Sequence, residues 1–312
     1  MLRNRLHFEG VYYMKNTKDL LAEVPGISGT MPGIGNLGQI QNKGVEMAIT
    51  WRDQIGDWNY NIGANLTTIK NKVLSLVQDG YSIIAGDKSQ SYTMAGYPIG
   101  YFYGYKVAGV YQNETDIETS APNQVASVKP GDLKFADVNG DGIISEKDRT
   151  MIGNPTPDFT YGFSVNLGYK NFDLSVDMMG VYGNEVYRNW DSSAYAQFNY
   201  RTGHLNRWHG EGTSNWVPRV IDGDNNNYQV SNFFVEDGSY MRLKVLQIGY
   251  SLPGQMLQRV GVKGLRFFVQ GENLFTITNY SGYDPEVGTR DGFDGGTYPQ
   301  ARTYTIGANI TF

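Results

Sequence analysis

The sequence predicts an all-β fold, a transmembrane antiparallel up-and-down β-barrel contributing about ten strands, and three observations carry that prediction. Apolar and polar residues alternate with period 2 in segment after segment. The connections between those segments are short and long by turns, the habit of barrels that keep tight turns on one side of a membrane and long loops on the other. The chain also stops on an aromatic residue that is itself part of an amphipathic strand, Tyr304, Ile306, Ala308, Ile310 and Phe312 alternating with Thr305, Gly307, Asn309 and Thr311.

Strands are expected near 5–14, 43–52, 58–69, 85–95, 100–111, 160–169, 172–182, 239–250, 265–277 and 304–312. Most approach the ~9–11 residues that a tilted membrane-spanning strand needs. In 43–52 the apolar set is Val45, Met47, Ile49 and Trp51. In 58–69 it is Trp58, Tyr60, Ile62, Ala64 and Leu66, with Asn59, Asn61, Asn65 and Thr67 opposite. The segment 85–95 alternates least regularly. In 160–169, Tyr161, Phe163, Val165, Leu167 and Tyr169 face away from Gly162, Ser164, Asn166 and Gly168. Lys170-Asn171 then turns the chain into Phe172, Leu174, Val176 and Met178, a tight hairpin. The segment 239–250 changes phase near Val245, which points to a bulge. Leu265, Phe267 and Val269 lie opposite Arg266, Gln270 and Glu272.

Short links are expected at 53–57, 96–99, 170–171 and 252–264, and long ones at 15–42, 70–84, 112–159, 183–238 and 278–303. With the last strand running inward, every short link falls on the periplasmic side and every long one outside, so 112–159 and 183–238 are external loops. Trp51 and Trp58 flank one short link, where a membrane-interface belt would place them. A cross-strand aromatic pair in a soluble sheet is the alternative.

Composition excludes several function classes. With 13% aromatic residues, 18% charged residues and 23 Tyr, the chain does not have the composition of a disordered segment. A net charge of -5 and a pI near 5.3 offer no field for phosphate backbones, so nucleic acid is not an expected partner. No ~18-residue apolar run is present, but barrel strands escape such a scan because their two faces average out. The chain has no Cys and three His, which leaves little from which to build a thiolate site, a zinc centre or a catalytic triad. His204 and His209 read as ordinary loop residues, and Asp284 with Glu286 as an acidic loop rather than a glycosidase pair. No catalytic motif is present. The start, Met1-Leu2-Arg3-Asn4-Arg5-Leu6, has no signal-peptide pattern and reads as a cut.

Two constellations invite ligands. Asp137, Asn139, Asp141, the carbonyl of Ile143 and Asp148 follow the spacing of a calcium loop, with Gly142 at its sixth position. Asp148 replaces the longer Glu usual at the twelfth position, and a metal-free Asp/Asn/Gly turn is the competing reading. A bound Ca²⁺ there would stiffen the loop. In 183–238, Trp190, Tyr195, Phe198, Tyr200, Trp208 and Trp216 are interleaved with Arg201, Arg207 and Arg219. Such residues stack on sugars, and they also anchor protein interfaces or pack a loop upon itself. Arg242, Lys244, Arg266, Gln270 and Glu272 share the polar face of neighbouring strands, where they can pair with one another.

The chain resembles the SusC/RagA family of TonB-dependent outer-membrane transporters. The resemblance is carried by Asn42-Lys43-Gly44-Val45-Glu46, Gly96 to Tyr105, Gly131-Asp132, Asp148-Arg149-Thr150, Ile152-Gly153-Asn154-Pro155, Asp237 to Lys244, Gly271-Glu272-Asn273-Leu274-Phe275 and terminal Phe312. It implies the C-terminal portion of a larger plugged barrel in the cell outer membrane. The plug, the segment that meets TonB, the signal peptide and the first half of the barrel are expected to be lacking. It further implies nutrient import, commonly of oligosaccharides, with a SusD-like surface lipoprotein as lid. Other expected partners are outer-membrane lipid and the barrel-assembly machinery, which would read Tyr304, Ile306, Ile310 and Phe312 as its signal. The alternative from a different class is a secreted calcium-stabilised β-sandwich that binds or hydrolyses carbohydrate.

Overall fold

The computed structural model describes residues 5–24, 33–36, 38–76, 80–190, 200–223, 225–257, 261–286 and 292–312. Eight long strands form one antiparallel sheet in strict chain order: β1 (Leu6–Thr17), β2 (Gly38–Ile55), β3 (Trp58–Thr68), β4 (Phe159–Tyr169), β5 (Phe172–Tyr182), β6 (Tyr240–Ser251), β7 (Gly264–Glu272) and β8 (Thr303–Thr311). Two short continuations, Lys70–Leu76 on β2 and Thr276–Thr278 on β6, bring the sheet to ten strands. An up-and-down order is what period-2 alternation with tight turns gives, because each strand pairs with the one it has just left.

Register decides which residues share a face. Ile49 lies opposite Ala64, Ala64 opposite Phe163, and Phe163 opposite Met178. One step to either side, the inward positions are Gly63, Asn65, Gly162 and Ser164. The apolar set therefore forms one continuous face and the polar set the other, and a one-residue slip in any strand would exchange them. The phase change near Val245 is a bulge at Lys244: β5 pairs Asp177 with Val245 but Met178 with Leu243.

The expected strands 85–95 and 100–111 are not in this sheet. β3 pairs directly with β4, and beyond the continuation Lys70–Leu76 the chain between them lies at one end of the sheet. There Ser82–Ala85, Ser91–Met94, Tyr101–Gly104 and Thr150–Gly153 make a small separate sheet, and Val107–Val110 pairs with Leu133–Phe135. The physical reason is that Tyr101, Phe102 and Tyr105 are all buried, so this segment packs on both faces rather than showing one to a solvent. The link at 96–99 accordingly lies among the long loops, tied to Val73 by two backbone hydrogen bonds of 2.9 Å. Removing two strands leaves the parity of the loop lengths unchanged, which is why parity did not reveal the error.

The long connections pack together at one end of the sheet. Their apolar residues form two cores, one around Phe102, Ile152, Tyr187, Val230 and Phe234, the other around Tyr105, Val110, Leu133, Phe135 and Ile144. The tight turns at 56–57 and 170–171 lie at the opposite end.

Candidate functional site

The apolar face carries two aromatic rows. Near the tight turns, Trp58 packs at a tilt against Tyr169 with centroids 4.4 Å apart, and Phe172 against Tyr250 at 4.7 Å. Near the loops, Phe159 stacks on Tyr182 at 4.9 Å. Trp58 and Thr68, the residue opposite Phe159, are ten positions apart on β3. A rise of ~3.3 Å per residue on a strand tilted ~40° puts the rows about 25 Å apart, the height of the apolar band of an outer-membrane barrel. Between them Ile49, Ile62, Phe163, Ile248 and Val269 are exposed. Among the described residues no helix is long and apolar enough to cross a membrane.

The structure separates the two expected interface tryptophans. β2 runs on to Ile55, so Ile55 lies opposite Trp58, whereas Trp51 lies opposite Ile62, higher in the band. Its indole N–H donates to the Tyr60 hydroxyl at 3.4 Å, and that hydroxyl donates to Asp53 at 3.2 Å. Tyr304, Ile306 and Ile310 lie on the same apolar face of the last strand, and Phe312 follows it; all four are exposed.

The polar face is an ordered network. The Arg266 guanidinium pairs with Asp173 across β6, its Nε donating at 2.9 Å, and donates also to Gln247 at 2.7 Å. Gln247 donates to Gln270 and Gln270 to Glu272, each at 2.6 Å. Gly249 makes the crossing possible, since a Cβ there would lie 2.4 Å from the guanidinium and 2.5 Å from Asp173. At the loop end Arg242, only 3% exposed, binds Asp284 and Glu286 together, and Lys244 shares Glu286 at 2.9 Å. Burial alone would raise the Asp284 carboxyl. The Gln300 N–H and Arg242 outweigh it and hold that carboxyl below the ordinary range. Both acids act here as counter-ions to Arg242, and Glu286 also to Lys244.

The Asp137–Asp148 loop closes on itself. Asp137 accepts from the N–H groups of Gly140 and Gly142, both at 2.7 Å. Asn139 accepts from Asp141, and Asp141 from Ile143. Asp148 is fully buried and accepts from Val138, Asn139 and Ser145. Burial pushes its carboxyl up, but these three donors prevail and hold it below the ordinary range. Among the described residues no three His, Cys, Asp or Glu side chains converge on a metal position. The donor types are those a hard cation prefers, and the Asp137, Asn139 and Asp141 oxygens that take one N–H each keep a second lone pair, whereas Asp148 Oδ1 already accepts from both Val138 and Asn139.

The aromatic loop is largely spent on internal packing. Trp208 lies over Gly131, whose φ of +91° and missing Cβ leave room for the indole, and it covers the second core. Beside it Arg219 grips Asp132 with two hydrogen bonds of 2.8 and 3.1 Å; Asn227 joins that carboxylate, and Asn226 holds the Leu133 carbonyl at 2.6 Å. This clasp ties 183–238 to 112–159. Beyond Gly131-Asp132 and the run Asn225-Asn226-Asn227, its members share no common sequence signal. Trp190 lies under the Arg201 guanidinium at 4.8 Å. Tyr200 and Trp216 are exposed at 62% and 48%, and Trp216 meets Phe233 at 5.9 Å. Tyr195 and Phe198 lie outside the described residues. His204 and His209 make local hydrogen bonds, the first with the Arg201 N–H and the second with the Arg207 carbonyl.

Comparison with known proteins agrees with this geometry. No family model matches the chain. It is 37% identical to TonB-dependent receptor P3 of Formosa agariphila over 331 aligned positions, covering 99% of this chain and 32% of the relative. Over its whole length the chain is thus similar to one portion of the TonB-dependent receptors, SusC among them. It is likewise 31% identical to TonB-dependent receptor P26 of the same organism, over 33% of that protein, and 27% identical to TonB-dependent receptor SusC of Bacteroides thetaiotaomicron, over 29%. Among solved structures, the RagAB peptide importer in its open-open state matches with a TM-score of 0.80 and 25% identity, over 99% of this chain and 33% of that one. The chain thus spans about a third of the length of the TonB-dependent receptors it matches.

Proposed function

We propose that this chain forms part of the wall and much of the external surface of a TonB-dependent channel in the outer membrane that imports nutrients too large for simple pores. The observation that carries the reading is the continuous apolar face, bounded by aromatic rows about 25 Å apart, on a sheet whose other face is polar. A β-sandwich would have to cover that face with a second sheet, and among the described residues none does so.

Oligosaccharide is the proposed cargo, supported by the kinship with SusC and by exposed aromatic residues among the external loops. Peptide is the competing cargo, because the RagAB relative is a peptide importer. A SusD-like lipoprotein is the proposed lid, TonB the proposed energy source through a segment outside this chain, and the barrel-assembly machinery the proposed reader of Tyr304, Ile306, Ile310 and Phe312. Exposed Tyr200 and Trp216 are the proposed contacts to lid or cargo, with Trp190 and Trp208 supporting them from within. Trp58, and less directly Trp51, would mark the periplasmic interface. A weakly held Ca²⁺ is proposed at Asp137, Asn139, Asp141, the Ile143 carbonyl and Asp148, where it would stiffen the 112–159 loop.

Uptake by cells expressing the whole receptor tests the reading. Labelled oligosaccharides of graded length should enter in a receptor-dependent manner and stop entering when a protonophore collapses the inner-membrane gradient. Entry of peptides alone would move the cargo to the competing class, and uptake indifferent to the gradient would overturn the transporter reading.

A further inference from the structure

We propose that the lipid-facing side of β1–β4 holds one specific molecule of an anionic, phosphate-bearing lipid, its acyl chain in a groove over Ala64 and its phosphate on Lys43 and Lys70. The inference rests on the reading that the apolar face is embedded in a bilayer.

The groove follows from side-chain size. In the row Phe8, Ile49, Ala64, Phe163, the third residue is the small one, so a trough of about 540 Å³ opens between its neighbours. That is within the roughly 300–1,000 Å³ typical of small-ligand sites. Tyr161, one step higher, does not fill it: its ring leans over Gly180 of β5, where a Cβ would lie 2.2 Å away. Ala64 is six residues above Trp58, about 15 Å up the tilted strand, so the trough lies in the outer half of the band.

The same register continues upward to a basic pair. β2 and β3 keep one alignment from Ile55–Trp58 to Met47–Leu66, and beyond the strand end Lys43 lies opposite Lys70 and Gln41 opposite Lys72. These lysines alternate with Asn42 and Asn71, whose side chains bond each other at 2.7 Å on the inner face. Lys43, Lys70 and Lys72 are thus on the outward face, and all three are exposed. Like charges directly opposite one another in a sheet are destabilising. Among the described residues no carboxylate pairs with any of the three. Lys70 is twelve residues above Trp58, about 30 Å along the membrane normal, the thickness of the hydrocarbon core. The repulsion therefore sits at the outer headgroup level, where a lipid phosphate would relieve it while its acyl chain reaches down into the trough.

The test uses the whole receptor in nanodiscs of equal parts dimyristoylphosphatidylglycerol and dimyristoylphosphatidylcholine, with retained lipid counted by native mass spectrometry after mild detergent extraction. The wild-type receptor should keep one phosphatidylglycerol in preference to phosphatidylcholine. A lysine at a membrane surface strengthens anionic binding about fivefold, so K43Q/K70Q should lower that preference roughly twenty-five-fold. A64F should abolish retention of either lipid. Correct folding of each variant is checked by heat-modifiable gel mobility. An unchanged preference in a folded K43Q/K70Q receptor overturns the proposal and leaves the lipid-facing reading intact. Failure of the wild-type receptor to insert into nanodiscs would instead sink the reading on which the proposal rests.

Discussion

At the scale of single residues, the account depends on charged groups whose partners are fixed. Asp148 accepts three backbone N–H groups in a fully buried site, and hydrogen bonds to a charged group contribute ~1.5–3 kcal/mol each. Asp148→Asn should therefore destabilise the external loops by about 2–4 kcal/mol near neutral pH, measured as an earlier thermal transition of those loops. Because the folded carboxyl is held below its ordinary value, its contribution is complete above the unfolded pKa of about 3.9. It is lost as the pH falls through the lower folded value, so wild type and variant should converge in acid; a difference that persisted there would contradict the assignment. Arg242→Met should cost about 3–5 kcal/mol, because it strands Asp284 and Glu286 beside a buried site. Adding Asp284→Asn and Glu286→Gln should recover part of that loss in chemical denaturation.

At the scale of elements, the two faces of a strand must respond differently to the same substitution. Ile62→Arg puts a charge near the middle of the apolar band and should cost about 2–4 kcal/mol in refolding from urea into lipid vesicles. Asn61→Arg, one residue away on the polar face, should cost much less. Equal penalties would contradict the assigned faces. The strands with this property were legible in the sequence because each face has its own solvent. Tyr161 to Tyr169 alternates without interruption, and β4 and β5 run as expected apart from their end residues. The bulge at Lys244 was legible too, since it moves Leu243 and Val245 out of phase. The expected strand at 100–111 is not part of the large sheet, because Tyr101, Phe102 and Tyr105 are all buried in the packing of the loops, so alternation could not mark one face for a solvent. The clasp of Asp132, Arg219, Asn226 and Asn227 was not legible at all, since its members are some ninety residues apart and nothing local foretells their meeting. Arg219→Met should loosen it, seen as faster proteolysis in 183–238 with the sheet unaffected.

At the scale of the whole molecule, eight strands in chain order, with tight turns at one end and a packed assembly of loops at the other, are the form that the proposed membrane wall requires. The central claim is that one face of the sheet meets lipid and the other does not. The most direct measurement is a nitroxide scan of positions 58–68 in the whole receptor reconstituted in vesicles, comparing collisions with oxygen, which concentrates in the bilayer, against a water-soluble nickel complex. Even positions from Trp58 to Thr68 should favour oxygen and odd positions from Asn59 to Thr67 should not, with the strongest preference near Ile62 and Ala64. A scan without this alternation, or with even positions sheltered from both reagents as in the core of a sandwich, would contradict the account.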